Sequence, residues 1–430
     1  MSEQSVSGEV TTLSPRKGSM ITVFLVVLID LLGFGIVLPL LPFYAQNFNA
    51  GPVIIGLLYS VYSFSQLIFS PIWGSYSDKF GRRPIMLLST FGAVMAYILF
   101  GLADSLLVLF LSRILAGVMG GNIATAQAYI SDITDKSNRA RGMGVLGAAF
   151  GLGFVFGPAM ATGLINETFQ QFVAQSISAD FGAWMLNNRY GLPGFFAAFL
   201  SFTSFLMVMF KLPETVDKEH PEEHSQKRLS VFTPAFWKEL SGSADTNKKG
   251  LLLPLLSGSF LLSFGESTLY SAFPLFCEKV LGMSAEQVGI QFFYIGVIAV
   301  IVQGGLIRPL TKRFGEKNLF LTGSVFVIVG LASIPFSGSI AMLSVFLGIM
   351  AVGKSLNTPT IFSLVSQQAS EQNYGRVLGT NQGLSGMGRV IGPSWGGLLF
   401  GFFYWLPFVA TGTILLLTVF IGILIKRRDL

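Results

Sequence analysis

Long apolar runs, each bounded by short polar segments, recur from one end of the chain to the other. Each run holds about 20 residues, the length that a helix needs to cross the hydrocarbon core of a bilayer. None shows the polar face that a soluble amphipathic helix keeps toward water, so a soluble protein would need twelve separate buried core helices, which is not expected. The pattern predicts an all-α integral membrane protein with twelve transmembrane helices, numbered here as spans 1 to 12: residues 20–44, 52–76, 84–103, 105–131, 140–165, 191–211, 251–275, 286–308, 317–336, 339–364, 377–401 and 404–425.

A set of glycine, proline and polar positions occurs twice along this pattern. Glycine makes up 49 of the 430 residues, so several glycines matched at one separation are not expected by chance. An even number of spans per copy leaves both copies in the same orientation. This predicts two pseudo-symmetric six-helix bundles around an axis along the membrane normal, with a cavity between them. At a constant separation of 235 residues (379 minus 144), Asn138, Arg141, Gly144, Gly153, Gly157 and Pro158 recur as Asn373, Arg376, Gly379, Gly388, Gly392 and Pro393.

The repeat divides the chain into two halves joined by a polar linker. We expect an N-terminal tail over residues 1–19, a first bundle over 20–211, a linker over 212–250, a second bundle over 251–425 and a tail over 426–430. The linker holds both histidines of the chain, and the proline between them disfavours a helical metal site. We therefore expect no metal and no cofactor.

The composition supports a membrane protein and predicts its orientation. The chain is 52% hydrophobic and 12% charged, whereas soluble domains are about 25% charged. Most Lys and Arg residues fall on the side that holds the two termini, and the loops of the other side keep only Arg189 and Lys279. The positive-inside rule then places both termini in the cytoplasm. The net charge of +6 follows from this asymmetry and does not indicate nucleic-acid binding.

The loop after span 2 carries charges and glycines in a fixed register. Its sequence, GSYSDKFGRRP over residues 74–84, resembles the cytoplasmic motif of the major facilitator superfamily, G-x-x-x-D-K/R-x-G-R-R/K. A glycine permits a tight turn, and an acid at a helix end can bond cations or a helix N-terminus in the other half. Such a gate closes one side of the membrane in one state, although the cations alone would also serve as orientation charges. The resemblance assigns the gate to Gly74, Asp78, Lys79, Gly81, Arg82, Arg83 and, at the inner end of span 4, Asp132.

Span 4 begins with a second motif around an arginine. The sequence LSRILAGVMGG over residues 111–121 resembles the superfamily motif whose arginine is linked to proton transfer. An ionised arginine inside a bilayer should face the cavity and find a partner. We expect Asp30 of span 1 to be the partner of Arg113. The alternative is that the two residues form a purely structural ion pair.

Span 5 carries a run of small residues, Gly144, Gly153, Gly157 and Pro158. It resembles the motif that is characteristic of proton-coupled antiporters in this superfamily. Small residues let two helices approach closely, and the proline bends its helix. A bend on a helix between the two halves would prevent leakage while the halves rock. The alternative for the glycines alone is ordinary helix packing.

The second half has three charges inside predicted spans, Glu266, Lys354 and Arg389. A carboxyl in a low-dielectric cavity near cations suits the binding and release of protons, so Asp30 and Glu266 are proton-site candidates. Lys354 or Arg389 is expected either to pair with Glu266 or to receive an anionic group of a substrate. Polar side chains that could line the cavity, or form helix-to-helix hydrogen bonds instead, are Gln66, Asn122, Gln127, Gln303, Asn357 and Gln382.

Over its whole length the chain resembles the twelve-span drug:proton antiporters of the superfamily, especially tetracycline-efflux-type proteins. The runs GVLGAAFGLGFVFGP and GSYSDKFGRRP carry this resemblance. The chain departs from those pumps at Ala96-Tyr97, where they have an acid before the tyrosine. It also lacks the histidine that they have in span 8. The resemblance implies a monomeric antiporter in a bacterial inner membrane, which exports a small amphipathic organic compound in exchange for protons by alternating access.

Two other functions remain open on the sequence alone. One is a proton symporter or facilitator for a sugar, lipid or metabolite. The other is a non-transporting receptor or scaffold, which would be expected to lose the intramembrane charges and the gate motif, yet Asp30, Arg113 and Asp78 are present. No nucleophile–base set indicates an enzyme.

Overall fold

The computed structural model describes residues 17–134, 138–176, 178–215, 250–369 and 373–427, and nearly all of them are helical. Most of the predicted linker and tails lies outside these residues. The first half contains spans 1 to 6: Lys17–Gln46, Pro52–Phe80, Arg82–Gly101, Leu106–Met119 with Asn122–Ile133, Arg139–Leu164 and Gly191–Lys211. Two short helices, Glu167–Gln175 and Ala179–Asn187, lie between spans 5 and 6. The second half contains spans 7 to 12: Leu252–Leu281, Ala285–Phe314, Glu316–Ser333, Ile340–Ser366, Tyr374–Phe402 and Leu406–Arg427.

Helix lengths agree with the twelve predicted spans. Eleven of the described helices are long and apolar enough to cross a membrane. The remaining one, span 11, has 29 residues and mixes glycines with Arg376, Asn381, Gln382 and Arg389. Gly388, Gly392 and Gly396 lie against span 7 and Gly397 against span 2, so this helix needs fewer apolar side chains toward lipid.

Two spans have local interruptions that the hydrophobic pattern did not predict. Span 4 breaks at Gly120 and Gly121, beside Trp73 of span 2, whose indole Nε1 donates to the Val118 carbonyl at 2.6 Å. Span 8 continues through a π-helical turn at Val302–Leu306. Such interruptions free backbone groups from the regular helical ladder, and they are tolerated where neighbouring helices or an aqueous cavity satisfy them.

The two halves pack their helices in equivalent ways. Span 1 packs on span 5, and the equivalent spans 7 and 11 pack on each other. A Cβ added at Gly35 would lie 2.8 Å from the Gly153 carbonyl oxygen, and one at Gly388 would lie 2.7 Å from the Phe260 carbonyl oxygen. These backbones therefore approach as closely as glycine allows, and the repeated glycines hold helices together within each half.

Contacts between the halves are concentrated at one end of the molecule. We call the end with the loop between spans 2 and 3 the motif face, and the opposite end the far face. Near the far face, span 2 packs on span 11 and span 5 packs on span 8. Ser394 Oγ donates to Ser60 Oγ at 2.7 Å, and Gln46 Nε2 donates to the Glu278 carboxylate at 2.6 Å. These polar contacts join the two halves at the far face.

The same helices separate toward the motif face. A Cβ added to several glycines there would meet no described atom within 4 Å outside its own helix backbone; these are Gly144 and Gly147 of span 5, Gly304 and Gly305 of span 8, and Gly375 and Gly379 of span 11. The halves thus touch at the far face and diverge toward the motif face. For the described residues, this is the arrangement of two bundles with a central cavity that widens toward the motif face.

Candidate functional site

Three charged residues of the gate motif meet at the motif face. Arg82 Nη1 lies 2.5 Å from Asp78 Oδ1, and Arg82 Nε donates to Asp132 Oδ2 at 2.9 Å. The Arg82 side chain is only 10% exposed, so both ion pairs are partly shielded from water. The preceding Gly81 has a φ of +104°, a backbone conformation that residues with a Cβ rarely adopt. Spans 2, 3 and 4 are therefore tied together by one guanidinium group.

An acid that the sequence interpretation missed completes this cluster. The Glu214 carboxylate, just after span 6, accepts hydrogen bonds from the backbone N–H groups of Arg82 at 2.8 Å and Arg83 at 3.1 Å. It therefore caps the N-terminus of span 3, where the helix dipole favours a negative charge. Next to it, Thr215 Oγ1 donates to Asp132 Oδ2 at 3.1 Å. The start of the linker is thus attached to the gate.

The other gate residues lie around this cluster. Arg83 Nη2 donates to the Met209 carbonyl at 2.5 Å, and Lys79 Nζ lies 5.4 Å from the centre of the Phe80 ring. The Gly74 carbonyl accepts a hydrogen bond from Ser77 Oγ at 2.8 Å. Arg83 therefore connects the motif to span 6, and Lys79 remains at the exposed surface.

The predicted pairing of Arg113 with Asp30 is wrong in this structure. Arg113 is 3% exposed, its guanidinium carbon lies 4.7 Å from the centre of the Phe100 ring, and its Nη2 has no hydrogen-bond partner. The reason is depth. Arg113 lies seven residues from the far-face start of span 4, and Asp30 lies sixteen from the far-face end of span 1. Nine residues correspond to about 13 Å along a helix. Asn122 of span 4, sixteen residues from the far-face start of that span, lies instead at the level of Asp30.

The second half holds an ion pair at mid-depth. Lys354 Nζ of span 10 lies 2.5 Å from Glu266 Oε1 of span 7, and the Tyr270 hydroxyl donates to the same oxygen at 2.9 Å. The Lys354 and Glu266 side chains are 32% and 29% exposed, so the pair faces the cavity. The expected Glu266–Lys354 contact is therefore present. Within the described part of the chain, Arg389 of span 11 forms no ion pair or hydrogen bond, although its charge reaches Glu266.

Aromatic side chains connect the two halves at this level. The Phe34 ring lies 5.2 Å from Tyr62, 5.9 Å from Phe154 and 6.5 Å from Tyr270, measured between ring centres. Tyr270 belongs to the second half and the other three rings to the first. Lys354 Nζ lies 5.7 Å from the centre of the Phe154 ring, a second contact across the halves. Sequence reasoning missed this cluster, because nothing distinguishes these rings from the other aromatics of a chain with 41 phenylalanines.

The polar residues that were expected to line the cavity separate into two groups. Asn357 is buried and donates to Ser324 of span 9 at 3.3 Å, so it faces a neighbouring helix and its placement in the cavity is a wrong prediction. Gln66 donates to the Gly120 carbonyl at 3.3 Å, which satisfies the break in span 4. Asn122 is buried beside Asp30. Gln127 is half-buried, and Gln303 and Gln382 are exposed.

The antiporter-motif residues of span 5 face two directions. Gly153 and Gly157 face span 1 of their own half, where an added Cβ would lie 3.1 Å from the Leu31 carbonyl carbon and 2.6 Å from Gly35 Cα, respectively. On the other side of span 5, Thr162 Oγ1 donates to the Glu286 carbonyl of span 8 at 3.4 Å. The glycines therefore provide helix packing within the half, and the residues between and after them form the contact with the other half.

Two six-helix bundles that enclose a polar cavity open at one face define a membrane transporter fold. The family model described as Major Facilitator Superfamily matches residues 23–309 and 305–429, which together cover most of the chain. The chain belongs to the major facilitator superfamily and is a multi-pass membrane protein.

Individual relatives are similar over almost the same length. A tetracycline resistance protein, class C, from Escherichia coli is 28% identical over 88% of this chain and 88% of its own. Multidrug resistance protein 2 from Bacillus subtilis (strain 168) is 28% identical over 92% of this chain and 93% of its own. Among solved structures, a bacterial homolog of the human lysosomal transporter Spinster, crystallised inward-facing and occupied, superposes with a TM-score of 0.79. It shares 15% identity, with 95% of this chain and 96% of that chain covered.

Proposed function

We propose that the chain is a proton-coupled antiporter that exports small amphipathic organic compounds through the cavity between its halves. The observation that carries this proposal is the Asp30 carboxyl, which lies half-buried at mid-depth with no cation in ion-pair distance among the described residues. The efflux function also draws support from the relatives, whose names describe tetracycline and multidrug resistance.

The orientation follows from the charges at the two faces. The motif face carries Lys79, Arg82, Arg83, Lys312 and Arg313, and such cationic loops stay in the cytoplasm. We infer that both termini are cytoplasmic, that the membrane is a bacterial inner membrane, and that the described state is inward-open. Because one chain supplies both walls of the cavity, we propose that a monomer is the working unit.

Exchange of proton for substrate follows from the energetics of an unpaired carboxylate. Closing the cavity around an ionised Asp30 would remove it from water without a partner, which is costly. Protonation removes the charge, and a cationic substrate group compensates it. The two halves can then alternate between the inward-open and outward-open states when either a proton or the substrate is bound at Asp30, but not when the site is empty. Glu266 behaves differently because Lys354 already neutralises it, so its protonation must compete with an ion pair.

The gate cluster fits a role at the face that is open in this state. Arg82 here uses Asp78 and Asp132 of its own half. We propose that closure of the motif face brings Asp78 to the N-terminus of a helix in the second half, where a carboxylate is favoured. The loop between spans 8 and 9 of the second half lacks this acid, since the cations Lys312 and Arg313 stand there. The gate is therefore asymmetric although the fold is not.

Proteoliposomes with an imposed proton gradient test the proposal. A panel of fluorescent amphipathic compounds is offered, and the purified protein should move at least one of them against its own gradient in the direction opposite to the protons. Movement in the same direction as the protons would make the protein a symporter. Movement that ignores the gradient would make it a facilitator.

A further inference from the structure

Spans 5 and 8, one from each half, separate toward the motif face and leave a cleft between them. They still approach each other at Gly151 and Val300, where a Cβ added to the glycine would lie 4.0 Å from Val300 Cγ2. About one helical turn closer to the motif face on each helix, at Gly147 and Gly304, an added Cβ would meet no described atom within 4 Å outside its own helix backbone. The two helices therefore present bare backbone to the start of the cleft.

The end of span 8 places three cations beside this cleft. Arg308 and Lys312 follow Gly304 at intervals of about one helical turn, so they lie on the same side of the helix. Arg313 comes directly after them, and all three residues are exposed. Within the described part of the chain, none of the three forms an ion pair or a hydrogen bond. The end of span 8 is thus a positive surface without a described counter-charge.

The equivalent loop of the first half satisfies its charge internally. There the guanidinium group of Arg82 is held by two carboxylates. In the second half the acid of the loop is Glu316, whose two oxygens accept hydrogen bonds from Ser363 Oγ and Gln367 Nε2, both at 2.7 Å. This acid is directed at neutral groups of span 10, so the cations at the end of span 8 are left for a partner from outside.

The length of span 8 places this surface among the lipid headgroups. The helix Ala285–Phe314 has 30 residues, about 45 Å of helix, whereas the hydrocarbon core of a bilayer is about 30 Å thick. Its last turns therefore reach the interface between hydrocarbon and water. Beside the cations, Leu306 and Phe314 are 47% and 48% exposed. Cations interleaved with exposed apolar side chains fit a lipid better than a soluble anion.

We propose that an anionic phospholipid binds at the motif-face end of span 8, with its phosphate at Arg308 and Lys312 and one acyl chain in the cleft toward Gly147 and Gly304. The unpaired cations hold the headgroup, and the missing side chains leave room for the chain. The lipid is a ligand and not the transported compound, so this site stands or falls independently of the proposed function.

Lipid binding to the purified full-length protein, stripped of co-purified lipid in a mild detergent, tests the proposal. Native mass spectrometry measures the bound lipid during titration with dioleoyl-phosphatidylglycerol, which is anionic, or with dioleoyl-phosphatidylcholine, which has the same chains and no net charge. The anionic lipid should bind about tenfold or more tightly, the ratio expected when two cations attract one additional negative charge. Glycerol 3-phosphate carries the charge without the chains and should bind about a hundredfold or more weakly than phosphatidylglycerol.

Paired substitutions assign the headgroup to its residues. Arg308→Gln combined with Lys312→Gln should abolish the preference for phosphatidylglycerol. Arg308→Lys combined with Lys312→Arg keeps both charges and should keep the preference, which separates loss of charge from loss of fold. Lys426→Gln combined with Arg427→Gln removes two exposed cations at the end of span 12. This second pair is the matched control and should bind both lipids as the wild-type protein does.

The position of the acyl chain has its own test. Gly304→Leu fills the cleft and should weaken binding of both dioleoyl lipids about tenfold, the loss expected when about two methylene groups are no longer buried. Gly163→Leu adds the same side chain in open space near the far-face end of span 5. It is the matched control and should leave lipid binding unchanged.

Four results would overturn the proposal. Equal binding of the two dioleoyl lipids, or a preference that survives without Arg308 and Lys312, would exclude the headgroup site. Glycerol 3-phosphate bound as tightly as phosphatidylglycerol would indicate a site for soluble anions. Lipid binding that is found only after cleavage of the linker would indicate that its acids, among them Glu222 and Glu223, occupy the cations. Unchanged binding in Gly304→Leu would exclude the acyl chain from the cleft.

Discussion

The ammonium group of Lys354 lies 2.5 Å from the Glu266 carboxylate, whereas Asp30, near the equivalent position of the first half, has an amide as its neighbour. The repeated halves thus place a carboxyl at similar depth in two different electrostatic settings. One setting neutralises the charge permanently and the other leaves it to a proton or a ligand. On this difference rests our proposal that Asp30 couples proton movement to transport and that the Glu266–Lys354 pair is structural.

The ion pair can be tested by double substitution. Lys354→Met should destabilise the protein by about 1–3 kcal/mol, since it leaves Glu266 half-buried without a partner. Glu266→Gln combined with Lys354→Met should recover most of the loss, because no unpaired carboxylate remains. The midpoint of thermal unfolding in detergent measures both effects. Destabilisation of the double variant equal to the sum of the single variants would show that the two charges are not coupled.

The turn before span 3 makes a second prediction. Gly81→Ala should destabilise the protein by about 1–2 kcal/mol through its φ of +104°. The contact of the new Cβ with the Glu214 carboxylate should lower the stability further. Gly315, at the turn between spans 8 and 9, has a φ of +76° with open space around it. Gly315→Ala is therefore the matched control, because it introduces backbone strain without a steric contact. Equal losses in unfolding midpoint would contradict the contact with Glu214.

Glu214 itself should show a graded response. Glu214→Ala removes both hydrogen bonds to the backbone of span 3 and should destabilise the protein by about 1–2 kcal/mol. Glu214→Gln keeps one acceptor oxygen and should destabilise the protein by roughly half as much as Glu214→Ala. Proteolysis of the linker provides an independent measurement, and it should become faster in the alanine variant. A linker cleaved at the same rate in all three proteins would argue against its attachment at the gate.

The glycines of span 5 should act through packing within their half. A Cβ at Gly153 would lie 3.1 Å from the Leu31 carbonyl carbon, whereas a Cβ at Gly147 would meet no described atom within 4 Å outside its own helix backbone. Gly153→Ala should therefore lower stability by about 1–3 kcal/mol, and Gly147→Ala should be neutral or slightly stabilising. If both variants unfold at the same midpoint as wild type, close packing of spans 1 and 5 is not needed.

The sequence predicted the parts of this molecule that depend on local pattern. Apolar run length gave the spans, and the 235-residue repeat gave two bundles, because both are properties of residues near each other or in register. It failed where relative depth decides the contact, as for Arg113 and Asp30, which belong to different helices. It also missed Glu214, which lies 132 residues along the chain from Arg82. No local signal indicates that these residues meet, since only the packed bundle brings spans 3 and 6 together.

Proton-driven flux in Asp30→Asn proteoliposomes tests whether Asp30 couples protons to transport. The substitution imitates a permanently protonated side chain. We expect that uphill transport driven by an imposed proton gradient disappears, while an unchanged unfolding midpoint shows that the protein stays folded. Gradient-driven flux at the wild-type rate in Asp30→Asn would show that Asp30 does not couple protons to transport.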